Sequence, residues 1–314
     1  YQKDTRDLLF RVPVAQPAVV SDRLENVGSL RNRGLEATFD AELLRRGGSG
    51  PTLSSGLVFT VERNEVEELG LDRQFIITAV VSGQGQSGRF AQRLIPGQPI
   101  GTFWGPEFVG YNAQGQQLFN KYEVQRDAQG RETSRRLTGT TTQPSGDDER
   151  IIGDANPDFS LGLRSNAAWG NFDASWLWRA EVGRDVFNNT ALVYSTTSNA
   201  AQGRNFLSSA LGAQDAFREP AIYSSRWIED GSFLRLQNVT VGYRFRLPGR
   251  VGGGRDARLY VSGDNLLLFT GYSGYDPEVF VRAGDGVTGE ASRGIDYLAY
   301  PRARTLTTGV RVQF

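Results

Sequence analysis

The chain has 314 residues, of which 39% are hydrophobic and 22% charged, and its 35 basic residues balance 35 acidic ones; that is the composition of a folded chain, and the lack of net positive charge argues against a nucleic-acid binder. It contains neither Cys nor His, which excludes from this sequence disulfides, thiolate nucleophiles, Cys- or His-held zinc, His-ligated haem and a Ser-His-Asp triad. It also lacks Met and begins at Tyr1, so the expectation is a processed chain or a piece of a longer one, with any signal peptide outside it.

The longest mostly apolar run, 75–81, falls far short of the ~18 residues of a membrane helix. If the chain meets a bilayer, it does so with strands. Period-2 alternation dominates and predicts strands near 1–10, 29–44, 51–63, 158–168, 171–183, 232–246, 256–268 and 304–314. In 35–43, Leu35, Ala37, Phe39, Ala41 and Leu43 share one face, opposite Glu36, Thr38, Asp40 and Glu42. In 172–182, Phe172, Ala174, Trp176, Trp178, Ala180 and Val182 oppose Asp173, Ser175, Arg179 and Glu181. In 232–246 the phase slips: Leu234 and Leu236 are apolar at even positions, Val239, Val241, Tyr243 and Phe245 at odd ones. One extra residue near Gln237 and Asn238 corrects the phase and predicts a β-bulge. The last strand sets Leu306, Val310, Val312 and Phe314 opposite Thr305, Thr307, Arg311 and Gln313. Many of these strands exceed the usual five or six residues and approach the roughly 9–11 that a tilted strand needs to cross a bilayer.

Short turns rich in Gly and Asn, at 45–50, 170–171 and 248–256, alternate with long excursions at 11–28, 64–157, 184–231 and 269–303. Short turns on one rim and long loops on the other are the pattern of outer-membrane barrels, with the turns periplasmic and the loops extracellular. A soluble sandwich or a lipocalin-like barrel shows the same alternation, with the apolar face turned inward. Two features favour lipid. The polar face carries many full charges, among them Glu36, Asp40, Glu42, Asp173, Arg179, Glu181 and Arg311, and Trp176 and Trp178 sit two residues apart on the apolar face.

Six segments carry a family resemblance, in order along the chain. Residues 24–39, Leu-Glu-Asn-Val-Gly-Ser-Leu-Arg-Asn-Arg-Gly-Leu-Glu-Ala-Thr-Phe, resemble the NVGxxxNxGxE strand start of the SusC/RagA family of TonB-linked outer-membrane transporters. Residues 97–105, Gly-Gln-Pro-Ile-Gly-Thr-Phe-Trp-Gly, are similar to its GxPIGxFYG loop, with Trp104 where the family often has Tyr. Residues 156–159 (Asn-Pro-Asp-Phe) resemble its NPxF strand start, and 227–243 its IEDGSFLRLxNxTLGY segment. Residues 259–267 with 271–279 (Gly-Tyr-Ser-Gly-Tyr-Asp-Pro-Glu-Val), and then 294–297 before 300–305, follow in family order.

The resemblance implies an all-β fold: an antiparallel transmembrane barrel segment of about eight strands, the C-terminal part of a plugged barrel of about 22 strands. It implies location in the bacterial outer membrane and uptake of oligosaccharides or peptides with a SusD-like lipoprotein and the TonB complex, the latter reached through a plug region not visible here. The other implied partners are outer-membrane lipid and the barrel-assembly machinery, which would read the terminal aromatic Phe314. No enzyme activity, cofactor or metal is implied. The alternative is a structural or adhesive barrel component without transport.

Phe39, Phe172, Trp176, Trp178, Tyr243, Phe245, Val310 and Val312 are the candidate lipid-facing residues. Among loop aromatics, Phe103, Trp104, Phe108, Tyr111, Tyr272 and Tyr275 are candidates for substrate contact, because aromatic faces stack on sugar rings; packing of the loops against each other is the competing role. Asp154, Asn156 and Asp158 have the alternate spacing of a calcium loop, but Pro157 and the missing downstream Gly and Glu break the pattern. Glu229 and Asp230 read as a turn into a strand rather than an acid/base pair, and the glycines 252–254 as a flexible turn.

Overall fold

The computed structural model describes residues 1–13, 22–26, 28–46, 50–70, 73–83, 85–198, 200, 203–211, 220–248, 255–278 and 291–313. The alternating segments assemble into one eight-stranded sheet: β1 (Gln2–Thr5), β2 (Ser29–Arg45), β3 (Thr52–Glu68), β4 (Phe159–Trp169), β5 (Phe172–Val182), β6 (Phe233–Arg246), β7 (Asp256–Thr270) and β8 (Thr305–Val312). Each strand pairs antiparallel with the next in chain order, so the sheet is an open meander. It is an all-β architecture, and among the described residues no helix is long and apolar enough to cross a membrane.

The register places one apolar row beside the next. Phe39 opposes Leu57, Leu57 opposes Leu163, Leu163 opposes Trp178, Trp178 opposes Leu236 and Leu236 opposes Leu267. The opposite face carries Glu36, Asp40, Arg164, Arg179, Asp173, Arg258 and Arg311. Against β5, Leu236 and Asn238 take the consecutive partners Trp178 and Leu177 while Gln237 is skipped, which is the bulge that the phase slip predicts; against β7 their partners are Leu267 and Asp264, so the ladder is interrupted there too. A second irregularity between Glu42 and Leu44 ends the clean alternation of β2, where Leu43 and Leu44 adjoin.

β4 and β5 are joined by Gly170 and Asn171. Gly170 takes φ 57 at the first position of this two-residue turn, where a side chain would be strained. The turns at 45–50 and 248–256 lie partly outside the described residues. The segment 1–10 is not one strand. β1 ends at Thr5, Asp7 takes φ 54, and the chain continues as Leu9–Pro13 paired with Asp22–Asn26 in a separate ribbon. Asp tolerates the left-handed region better than most residues, so the alternation across 1–10 spans a corner.

The three longest excursions leave the sheet from one rim and fold together. Residues Ile76–Val80, Phe90–Leu94, Thr102–Pro106 and Glu149–Asp154 make a four-stranded sheet, and Phe108–Tyr111, Gln117–Arg126 and Glu132–Thr141 a three-stranded one. Asp185–Asn188 pairs antiparallel with Ile228–Asp230 and parallel with Ile295–Asp296, tying the second long excursion to the third. A short helix, α1 (Asn189–Tyr194), starts where the Asn188 side chain accepts from the Ala191 amide at 2.8 Å.

A core drawn from all three excursions holds this loop body together: Phe103, Phe187, Leu192, Tyr223, Trp227 and Ile295. Phe187 meets Tyr223 edge-on at 4.8 Å and Phe103 at 6.5 Å. The polar ends of these aromatics are satisfied: Tyr223 donates to the Ala91 carbonyl at 2.8 Å and Trp227 to the Ile222 carbonyl at 3.0 Å.

Candidate functional site

The site is built where the loop body rises from the rim of the wall. Asn156 fixes the segment 97–105 from below. Its side-chain amide donates to the Ile100 carbonyl at 2.7 Å, and its Oδ1 accepts from Asn64 and Arg293 at 3.1 Å each. The Asn64 Oδ1 in turn accepts from the Ile100 amide at 2.6 Å. Phe103 is fully buried in the loop core, so within this body it is a packing residue with no open face.

Trp104, its neighbour in sequence, points the other way and stays half-buried. Its Nε1 donates to Glu149 at 3.1 Å, and the Arg93 guanidinium sits 4.8 Å from the indole and 2.7 Å from the same carboxylate. Burial pushes the Glu149 carboxyl up, with Arg93 opposing, and burial pushes the Arg93 guanidinium down. On the free side of Trp104 opens a groove of about 420 Å³, lined by Trp104, Tyr122, Glu132, Arg135, Arg150 and Ile151. Tyr122, Arg135 and Arg150 carry no aromatic motif or family signature. The 117–141 hairpin that presents Tyr122 and Arg135 sits inside a segment read from sequence as loop, which is why sequence reasoning missed them.

Tyr111 and Phe108 meet edge-on at 5.1 Å, and the Arg226 guanidinium packs 5.0 Å from the Tyr111 ring and 4.7 Å from Trp227. They hold the base of the hairpin sheet. Tyr272 is buried and donates to Asp296 at 2.7 Å, joining the 271–279 motif to the 294–297 motif. Burial, followed by the Asp296 carboxylate, raises the Tyr272 hydroxyl far above its ordinary value. Tyr275 is 80% exposed, the most open of the candidate substrate aromatics.

The same 271–279 motif folds back over the polar face of the wall. Asp276 accepts from Arg235 at 2.5 Å and Glu278 lies 2.8 Å from it, all three charges nearly sealed from solvent. Arg179 and Arg302 also reach Glu278, at 3.1 and 3.5 Å respectively, so one ion cluster ties β5, β6 and the last excursion together. Glu229 accepts from Asn188, from the Ser273 amide and from the Ser273 hydroxyl, which makes it a turn anchor.

Asp154 accepts from its own turn, at the Asn156 amide and side chain, and the Asp154 amide donates to Asp185 at 2.8 Å. Burial raises the carboxyls of both Asp154 and Asp185. Among the described residues, no group of three or more metal-ligating side chains forms a metal site.

On the wall, Phe39 is 68% exposed, and Phe172, Tyr243, Phe245 and Val310 are also open. Trp176, Trp178 and Val312 are half-buried. Trp178 stacks on Phe269 at 6.4 Å, and Trp176 opposes Ser165, which is itself buried and hydrogen-bonded to Ser55 at 2.8 Å. Phe172 and Tyr243 meet at 4.8 Å. Phe314 lies outside the described residues.

This is a wall segment of an antiparallel barrel with its packed loops. No protein-family model matches the chain. Over its whole length it is 32% identical to the TonB-dependent receptor P3 of Formosa agariphila, covering 32% of that protein. It is 27% identical to the TonB-dependent receptor SusC of Bacteroides thetaiotaomicron, covering 29%. Among solved structures, all of the chain superposes on 33% of a chain in the RagAB peptide importer in its closed-closed state, with a TM-score of 0.75 and 23% identity, which shows the shared fold. The chain is a SusC/RagA-like portion of a TonB-dependent receptor, and it spans about a third of the length of the curated relatives it matches. Those relatives are receptors and not enzymes.

Proposed function

We propose that the chain supplies C-terminal barrel wall and outer loops to a bacterial outer-membrane transporter, energised through TonB, that imports oligosaccharides or peptides under a SusD-like lipoprotein. The observation that carries this reading is the uncovered apolar face of the wall. Among the described residues no second sheet packs across it, and Phe39, Trp169 and Leu306 are 68%, 70% and 75% exposed. A continuous apolar surface of this extent on a folded chain needs an apolar partner. The 11 residues of β4 at about 3.4 Å each, tilted by about 45°, span roughly 26 Å, which matches an apolar band of about 25 Å.

In this reading Phe39, Phe172, Trp176, Trp178, Tyr243, Phe245, Val310 and Val312 face lipid, the polar face lines the lumen, and the short turns lie in the periplasm. The loop body lies outside the cell, where Trp104 and Tyr275 are open to substrate. Phe314 serves the barrel-assembly machinery. The RagAB relative is itself an importer of peptides, and the SusC and RagAB likenesses support a lipoprotein lid.

The test is uptake of labelled oligosaccharides and peptides by cells expressing the full-length protein that carries this chain, with and without TonB. Uptake that is lost when TonB is removed is the expected result. Insertion into the outer membrane without TonB-dependent uptake of any probe would favour the structural or adhesive role. A soluble globule with Trp176 and Trp178 sealed inside would overturn both.

A further inference from the structure

The groove beside Trp104 has the chemistry of a specific subsite. The indole is held rigidly, by Glu149 at its Nε1 and by Arg93 against the ring, and Arg93 is not among the groove's lining residues. Ile151, paired with Trp104 across the sheet and partly exposed, extends the apolar floor. Of the two arginines at the groove, Arg135 is committed: it grips Glu132 through two bonds of 2.8 Å and donates to the Asp147 and Glu149 carbonyls. Arg150 is not. Its Nη1 donates to the Tyr122 hydroxyl at 3.0 Å and reaches Glu107 at 3.4 Å, while its Nε and Nη2 make no hydrogen bond among the described residues. Its side chain is 46% exposed.

An apolar, aromatic floor beside a guanidinium with unused donors suits a sugar ring that stacks its C–H face on the indole and bears a carboxylate. A peptide would instead exploit an open strand edge. The edge strand here, Glu149–Asp154, is occupied at both ends, by Arg135 on the Glu149 carbonyl and by Asp185 on the Asp154 amide. We propose that this groove is a subsite for a carboxylated pyranose, with Arg150 taking the carboxylate and Trp104 with Ile151 taking the ring. The proposal rests on the transport reading for its biological context and names the substrate class at that surface.

The test is calorimetric titration of the purified full-length protein with oligogalacturonate, with a neutral galacto-oligosaccharide of equal length, and with an acidic peptide. The uronate is expected to bind about tenfold more tightly than the neutral sugar, and less so at high salt. Arg150→Gln is expected to erase that difference. Ile151→Glu, a change at a partly exposed position, should weaken the uronate through charge repulsion and keep the fold. Equal binding of charged and neutral sugars, an unchanged uronate affinity in both variants, or tighter binding of the peptide would overturn the proposal. Binding is read without transport, so absent TonB-dependent uptake with intact uronate binding would sink the transport reading alone.

Discussion

The wall and the loop body are made from the same kinds of side chain and use them in opposite senses. In the wall, apolar residues alternate along strands and remain uncovered, as Phe39 and Leu306 do, while charges gather on the other face. In the loop body, Phe103, Phe187 and Leu192 are fully buried, in a core like that of a soluble domain, and the charges pair at its surface. A strand fixes which residues share a face, and the medium on each side fixes which face can be apolar. The wall is complete only when something apolar covers it; the loop body supplies its own cover.

Substitutions can break that contrast. Phe103→Ala should destabilise the loop body by about 3–5 kcal/mol, because it empties a fully buried site. Faster amide exchange over 90–106 with unchanged exchange in β4 and β5 would show that the two regions are separable. Arg235→Ala should cost a similar ~3–5 kcal/mol locally, since it strands Asp276 where water scarcely reaches and leaves Glu278 to Arg179 and Arg302. The expected sign is protease cleavage within 271–278, and Arg235→Lys should restore part of the protection.

In lipid, Phe39→Arg should cost about 2–4 kcal/mol if that face meets hydrocarbon, whereas Thr38→Arg on the opposite face should be nearly silent. Urea unfolding of the refolded barrel in vesicles distinguishes them, and equal effects would remove the distinction between the faces. The smallest effect is one of pH. Burial raises the Glu149 carboxyl, so between the ordinary carboxylate range and the raised value the folded loop body binds more protons there than the unfolded chain does. Stability of the 90–106 region should therefore fall as pH rises between the ordinary carboxylate range and the raised value. Glu149→Gln should flatten that slope, read as amide exchange at several pH values.

Part of this design was legible in the residues. The alternation at 35–43 and 172–182 lies inside β2 and β5, and the phase slip at 232–246 located the bulge at Gln237 to within a residue. The corner at Asp7 was not legible, because alternation counts side chains and does not report the sign of φ. Nor were the strands at 117–141: their apolar positions are few, and the side chains that meet across the backbone ladder are polar, as in Arg136 with Glu123 and Ser134 with Gln125. The aromatic residues of the loop motifs could be picked out by type but not sorted by role. Phe103 and Trp104 are adjacent, and the strand Thr102–Pro106 sends one into the core and the other to the groove.

The sequence by itself determined the fold class, the division of each long strand into an apolar and a polar face, and the family, because those depend on local periodicity and on motifs read along the chain. Tertiary structure alone decided that three distant excursions share one core, that Arg235 meets Asp276 and Glu278, and that Trp104 and Arg150 flank one groove. These pairings join residues some 40 to 100 positions apart or more, and no local pattern specifies them; they follow from which strand ends the sheet brings to the same rim.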